Sequence, residues 1–416
     1  MANKPKIRFK GFDDAWEQRK LGDLVKEGIL EAPLDGNHGE KHPTSDEYVD
    51  SGIPFLMASD IHNGEVNIYS CKYITKERAE RLDKGFARNG DVLLTHKATI
   101  GETAILSKLT TKYAMLTPQV TYYRIKNEER LNREYLYSFF NSLDFQTELK
   151  TKAAQSTRPY IGITAQQNLR IILPKEIDEQ RKIGLYFRNL DHLITLHQRK
   201  CDQVKELKKY MLTKMFPQNG AKVPEIRFDG FTDDWEQRKF SELYVKSNEK
   251  NDGSIGMDKN ITVATMQFKE DVKVSTDEYL KTYYTFNIGD IAFEGHQSKE
   301  FRYGRFVEND IGNGIVSHIF VVFRPIKEYD LHFWKYAINN ETLMQRILSK
   351  STKASTMMHD LVTNDFLNET FLVPSLDEQK KVGGFLNNLD HLITLHQSKC
   401  ENLKNLKKYM LRKMFV

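Results

Sequence analysis

The sequence predicts a mixed α/β (α+β) protein made by duplication: two α/β heads alternate with two long helices, which pair as an antiparallel coiled coil about a pseudo-twofold axis. Three observations predict it. Residues 178–216 align without gaps with residues 377–415 at 27 of 39 identical positions. Residues 7–20 align with 226–239 at 11 of 14. The stretches between, 21–177 and 240–376, share almost no identity yet carry the same order of elements. The chain is therefore read as a first head, 1–177, a first helix, 178–216, a linker, 217–225, a second head, 226–376, and a second helix, 377–416.

Composition bounds the function. With 416 residues and 39% hydrophobic content the chain can bury two or more cores. It contains no run of 18 apolar residues, and the start "MANKPKIRFKG" lacks the apolar segment of a signal peptide, so a cytoplasmic location without a membrane partner is expected. Cys71, Cys201 and Cys400 are too few and too scattered for a disulfide framework. The net charge of +5 points weakly to an anionic partner. Residues 199–214 hold six basic and two acidic side chains, and 399–413 six basic and one acidic; both read first as solvated helix faces.

Each head follows one order. A Gly-Asp turn leads into an apolar strand ("NGDVLLTH", "IGDIAFEG"), then a β-rich strand ("QVTYYRI", "IFVVFRPI"), then a helix ("LNREYLYSFFNSLDFQTELK", "LHFWKYAINNETLMQRILSK"). A polar loop follows ("AAQSTRPY", "STKASTMM"), and then an apolar run reaching a proline ("LRIILP", "TFLVP"). Cys71 in "IYSCKYI" reads as a structural strand residue, and Trp16 and Trp235 in the short repeat as packing anchors beside the helix ends.

The long repeats are helices by period. Leu190, Ile194, His197, Cys201, Val204, Leu207, Met211 and Met215 recur at spacings of three and four, as do Leu389, Ile393, His396, Cys400, Leu403, Leu406, Met410 and Met414. Ser375 and Glu378 have capping-box spacing after Pro374, whereas the first copy has Lys175 there and is expected to start at Asp178. Pro217 stops the first helix. Each helix would be roughly 57 Å long. Matched stripes most economically bury against each other. His197, Cys201, His396 and Cys400 could instead assemble a Cys₂His₂ zinc site; the preferred reading makes them register-fixing seam residues with no metal.

At this point the chain resembles a known family, the specificity (S) subunit of type I restriction-modification systems, or HsdS. "SGIPFLMASDI" (51–61), "NGDVLLTHKATIG" (89–101), "LPKEIDEQRKIG" (173–184) and "VPSLDEQKKVGG" (373–384) look like its signature segments, and the resemblance covers essentially the whole chain. The resemblance implies that the heads are target-recognition domains for double-stranded DNA. It also implies that two separate modification subunits carry S-adenosylmethionine and methylate adenine, while restriction subunits carry ATP and Mg²⁺ chemistry. The chain itself would then be a non-catalytic subunit without a cofactor. Its residues agree with that expectation. No Asn-Pro-Pro-aromatic or Asp-Pro-Pro-aromatic motif occurs, and "GFARNGD" (85–91) has phosphate-loop glycine spacing but Asp where Lys is needed.

Base readers should sit in polar loops flanked by regular elements, where Arg, Lys, Asn, Gln and Ser can meet groove edges. In the first head these are His96, Lys97 and Thr99, with Gln155, Ser156, Thr157, Arg158 and Tyr160. In the second they are His296, Gln297, Ser298, Lys299, Arg302, Tyr303 and Arg305, with Lys350, Lys353, Ser355 and Thr356. The alternative is a coiled-coil adaptor whose α/β heads bind proteins. Unlike heads on like scaffolds favour a two-part, asymmetric DNA target, whose halves a rod of roughly 57 Å could hold about one duplex turn, ~34 Å, apart.

Overall fold

The computed structural model describes residues 4–154, 159–218, 220–270, 276–355 and 358–415. The chain divides into two compact units, residues 1–198 with 398–416, and residues 199–397. Each unit contains one head and a segment of both long helices.

In the first unit the head is built on a four-stranded sheet in the order Thr99–Ile105, Val92–Lys97, Val120–Tyr123, Leu34–Asp35, with antiparallel pairing throughout. Alternation along these strands feeds two cores. Val92, Leu94 and Tyr123 join Leu136 and Phe140 of the helix Arg133–Phe140 in one core. Leu93, Val120 and Tyr122 join Leu56 and Leu116 in another. The second core lies on a five-stranded sheet in the order Tyr48–Val49, Lys72–Ile74, Ile53–Leu56, Ala114–Leu116, Phe86–Ala87.

The second unit repeats the central sheet: Arg305–Glu308, Ile291–Glu294, Val321–Pro325, Tyr244–Ser247, in the corresponding order. The alternation is repeated too. Ile291, Phe293 and Phe323 pack with Phe333 and Trp334 of the helix Leu331–Ile338, while Ala292, Val307 and Val322 pack with Phe286 and Val316. The outer layer differs, since here Tyr284–Phe286 and Gly314–Val316 form only a two-stranded sheet.

The repeated "EQRK" segments close each head as strands. Glu17–Lys20 pairs antiparallel with Arg170–Leu173, and Glu236–Lys239 with Thr370–Val373. Trp16 and Trp235 beside them are buried in the helix-side cores.

The long helices run Ile177–Lys214 and Leu376–Lys413. Both start one residue before the expected position and end before Met215–Phe216 and Met414–Phe415, which leave the helix to fill a core. Ser375 Oγ accepts the Glu378 amide at 3.4 Å, but the reciprocal half of the capping box is not made, because Arg227 takes the Glu378 carboxylate at 2.7 and 2.8 Å. Within each unit the helix segments run antiparallel. In the first, Lys407 meets Asp191 at 2.5 Å and the Cys400 thiol lies 3.9 Å from the Ile194 carbonyl. In the second, Lys208 meets Asp390 at 2.7 Å and the Cys201 thiol lies 3.9 Å from the Ile393 carbonyl.

The seam holds buried Leu190, Leu389, Cys201 and Cys400, with half-buried Ile194, His197, Val204, Met211, Ile393, His396, Leu403 and Met410. Two expected members leave it. Leu207 and Leu406 are 40% and 41% exposed. Seven residues on from Cys201 and Cys400 the repeat lands on Lys208 and Lys407, not on the leucines, so the lysines take the seam position, burying their aliphatic stems while the ammonium groups reach the facing aspartates. Tyr336 donates to Asp390 at 2.6 Å and Tyr137 to Asp191 at 3.3 Å, which ties each head to its helix pair. Among the described residues no cluster of three or more His, Cys, Asp or Glu side chains could hold a metal ion, and no helix is long and apolar enough to cross a membrane.

Candidate nucleic-acid interface

In both heads the two stretches expected to read DNA meet at one junction. In the first head the strand Val92–Lys97 reverses through Ala98, at φ +67°, into Thr99–Ile105, and Lys97 forms a backbone bridge to Tyr160. Lys97, Thr99 and Tyr160 are exposed, and the Lys97 ammonium lies 6.0 Å from the Tyr160 ring centre. Gln155, Ser156, Thr157 and Arg158 lie outside the described residues.

His96 requires a correction. It was expected on the polar loop, but it belongs to the strand and is fully buried. Its Nδ1–H donates to the Ile161 carbonyl at 3.0 Å, and its own carbonyl accepts the Ile161 amide at 3.2 Å. Burial pushes the imidazole down to about 4, so the ring is neutral at pH 7, and its ring centre lies 5.7 Å from that of Tyr160. His96 is thus a strut beneath the loop and cannot meet a base. Near it lies the Asp35 carboxyl. Burial pushes that group up, but Lys84 and His38, the latter at 2.8 Å, outweigh burial and hold it below the usual carboxylate range.

In the second head Gly295 and His296 continue the strand Ile291–Glu294, and His296 bridges to Met358. Ser298 turns the chain, donating its amide to the Phe301 carbonyl at 3.0 Å. His296, Gln297, Ser298, Lys299 and Arg302 are exposed, and Tyr303 is half-buried. Arg305 was expected on the loop, but it lies half-buried on the strand Arg305–Glu308, where it donates to Glu294 at 2.8 Å and to the Ala264 carbonyl at 2.8 Å. Lys350 is exposed at the end of the helix Glu341–Ser351, 3.6 Å from Glu369. Lys353 is exposed on the strand Thr352–Ala354, and Ser355 closes a turn with the Met358 carbonyl at 2.8 Å. Thr356 lies outside the described residues.

The sequence reading missed His359. This buried residue lies within 2.5 Å of the Gln297 amide nitrogen, stands edge-on to Tyr303 at 5.4 Å, and donates its backbone amide to Gly295 at 2.8 Å. Each junction therefore contains one buried histidine, supplied by the hairpin strand in the first head and by the opposite stretch in the second.

Below the junctions the repeated residues hold matching positions. Asp91 binds Arg124 at 2.7 and 2.9 Å with Glu31 at 3.2 Å, and Asp290 binds Arg324 at 3.1 Å with Glu249 at 2.5 Å. Gly90 and Gly289, at φ +97° and +86°, allow the turns that aim those aspartates. The "DEQ" repeat divides its work. Glu179 accepts from Arg8 at 2.6 and 2.9 Å and from the Trp16 indole at 3.2 Å, as Glu378 accepts from Arg227. Gln180 accepts the Asn132 amide at 3.0 Å and donates to the Pro174 carbonyl at 3.0 Å. Gln379 does the same with Asp330 and Pro374, at 3.1 Å each. These contacts fix the N-terminus of each head helix against the start of a long helix.

Compared with known proteins, residues 13–206 and 232–405 both match the type I restriction modification DNA specificity domain. The chain belongs to that family. The match takes in both heads and most of both helices, so this specificity subunit carries the domain twice. It is 22% identical over 170 residues to the type I restriction enzyme MjaVIII specificity subunit of Methanocaldococcus jannaschii, a match over 40% of this chain and 39% of that relative. The structure of a type I restriction-modification system S subunit from M. genitalium has the same fold, with a TM-score of 0.62, 12% identity and 99% of both chains covered. An HsdS subunit from Thermoanaerobacter tengcongensis matches with a TM-score of 0.44, 17% identity and 96% of both chains covered. Specificity subunits are generally non-catalytic.

Proposed function

We propose that this specificity subunit reads a two-part, asymmetric duplex target, one half through residues 21–177 and the other through 240–376, and that it scaffolds two modification subunits and, where present, restriction subunits. The observation that carries the reading is the pair of junctions. Like backbones bring a hairpin and a loop together, yet Lys97 and Tyr160 stand where the second head places His296 and Met358. Equivalent geometry with unlike donors and acceptors suits unlike half-sites. Phosphates would be met by cations without an ion pair among the described residues, Lys97 in the first head and Lys299 and Lys353 in the second.

Docking of two like partners is supported by a repeated exposed face. Leu193, Leu196, Leu406 and Tyr409 of the first unit recur as Leu392, Leu395, Leu207 and Tyr210 of the second, and all eight are exposed. Two copies of one apolar surface suit two copies of one partner. S-adenosylmethionine, ATP and Mg²⁺ then belong to the partners, and the complex works in the cytoplasm.

The test is co-expression with the cognate modification subunit and mapping of methylated adenines. The reading predicts a two-to-one complex that methylates one gapped, non-palindromic motif. A complex that methylates without sequence preference, or a chain that captures only proteins through its heads, would contradict it.

A further inference from the structure

We propose that Arg302 reads a guanine in the half-site taken by the second head, turning its guanidinium edge to the O6 and N7 acceptors of that base in the major groove. The inference rests on the DNA-reading function above and adds the base.

Five permanent cations lie in the two stretches that meet in this head, and their surroundings differ. Arg305 is turned to Glu294 and the Ala264 carbonyl, both at 2.8 Å, and Lys350 faces Glu369 at 3.6 Å. Lys299 lies on the turn and Lys353 on an exposed strand. An ammonium on a flexible stem suits a phosphate, which needs charge more than direction.

Arg302 is held. Its amide donates to Glu341 Oε1 at 3.2 Å, and the preceding Phe301 amide donates to Ser298 Oγ at 3.0 Å. Two residues on, Gly304 sits at φ +80°, where a Cβ would come within 2.6 Å of the Glu294 carbonyl. The backbone that presents Arg302 is therefore fixed on both sides. Arg302 is exposed, its guanidinium carbon lies 5.5 Å from the centre of the Tyr303 ring, and it forms no ion pair among the described residues. Tyr303 in turn rests edge-on against the buried His359, which the Gln297 amide braces at 2.5 Å.

An arginine laid on a braced ring has already lost much of its rotamer freedom, so less is lost when it binds. Its planar fork offers two parallel N–H donors. Among the base edges of the major groove, guanine alone presents two adjacent acceptors that match them.

The experiment uses the full chain in complex with its modification subunits. Binding to duplexes carrying the mapped target is measured with each pair of the second half-site replaced in turn, at several salt concentrations, for the wild type, Arg302→Ala and Arg302→Lys. We expect one G·C pair whose replacement weakens wild-type binding about 10- to 100-fold. Arg302→Ala should bind all four bases at that position nearly equally, with the first half-site still discriminated. Arg302→Lys should keep non-specific affinity but lose most of the preference. Uniform weakening across all sequences by Arg302→Ala, with a salt slope lower by about one, would make the contact a phosphate and overturn the inference, as would the lack of any responsive G·C pair. A complex that distinguishes no base in either half would instead contradict the DNA-reading function itself.

Discussion

The two heads build the same junction with exchanged parts. In the first, His96 lies on the hairpin strand and props the loop at Ile161. In the second, His359 lies on the opposite stretch and props the hairpin at Gln297. The supports below do not change, with Asp91, Arg124 and Glu31 answered by Asp290, Arg324 and Glu249. The difference teaches that geometry is fixed beneath the surface by charge pairs and glycine turns. What lies at the tip can then vary without loss of the fold.

The comparison can be broken first at the buried ion pairs. Glu179 and Glu378 are both about 1% exposed, and each is gripped by an arginine, but only Glu179 also accepts a tryptophan N–H. Glu179→Ala leaves the guanidinium of Arg8 without its partner and should destabilise the first unit by about 3–5 kcal/mol. Glu378→Ala should cost the second unit somewhat less. Urea unfolding followed in each unit measures the two, and equal losses would remove the asymmetry.

Titration separates the units by sign. The folded His96 pKa lies at about 4, below its ordinary 6.5, so the fold favours the neutral ring. Its contribution is complete above about pH 6.5 and lost as the pH falls towards 4, for a total of about 3 kcal/mol. The loss should be absent from His96→Gln. In the second unit burial pushes the Glu308 carboxyl well up, and among the described residues neither oxygen has a hydrogen-bond partner. That raised value has the opposite consequence: stability falls as the pH rises from the ordinary carboxylate range. Glu308→Gln should therefore stabilise the second unit at neutral pH, as read by its unfolding midpoint.

The smallest effect concerns matched glycines. A Cβ on Gly184 would lie 2.7 Å from the Tyr135 amide nitrogen, and one on Gly383 would lie 2.4 Å from that of Phe333, whereas Gly384 has open space around it. Alanine at either of the first two should cost about 1–3 kcal/mol. At Gly384 it should stabilise the helix by up to about 1 kcal/mol. Thermal unfolding of the three variants orders them, and a cost at Gly384 would contradict the packing described.

The repeats made the architecture legible, because 38-residue helices with a three-four stripe have few alternatives. The seam is misread at Leu207 and Leu406, where hydrophobicity selects leucine while the regular three-four alternation of the stripe selects the lysine that follows. Lys208 and Lys407 could have been found from the aspartates repeated opposite them. That each head carries two polar stretches flanked by regular elements could be read from the sequence, but that they meet could not, since the bridges Lys97–Tyr160 and His296–Met358 join residues far apart in the chain. Nor could the burial of His96, since a histidine ending an apolar strand reads the same whether it faces water or a carbonyl. His359 and the Asp91–Arg124 and Asp290–Arg324 pairs depend on contacts 33 or more residues apart, for which one sequence offers no signal beyond the matching order of elements.

The most direct measurement is a genome-wide adenine-methylation map made with a chain whose residues 240–376 are replaced by the second head of another family member, with the modification subunit unchanged. Independent heads on a shared scaffold predict that one half of the motif changes while the other half and the gap stay as they were. A map in which both halves change together, or in which neither does, would contradict the account.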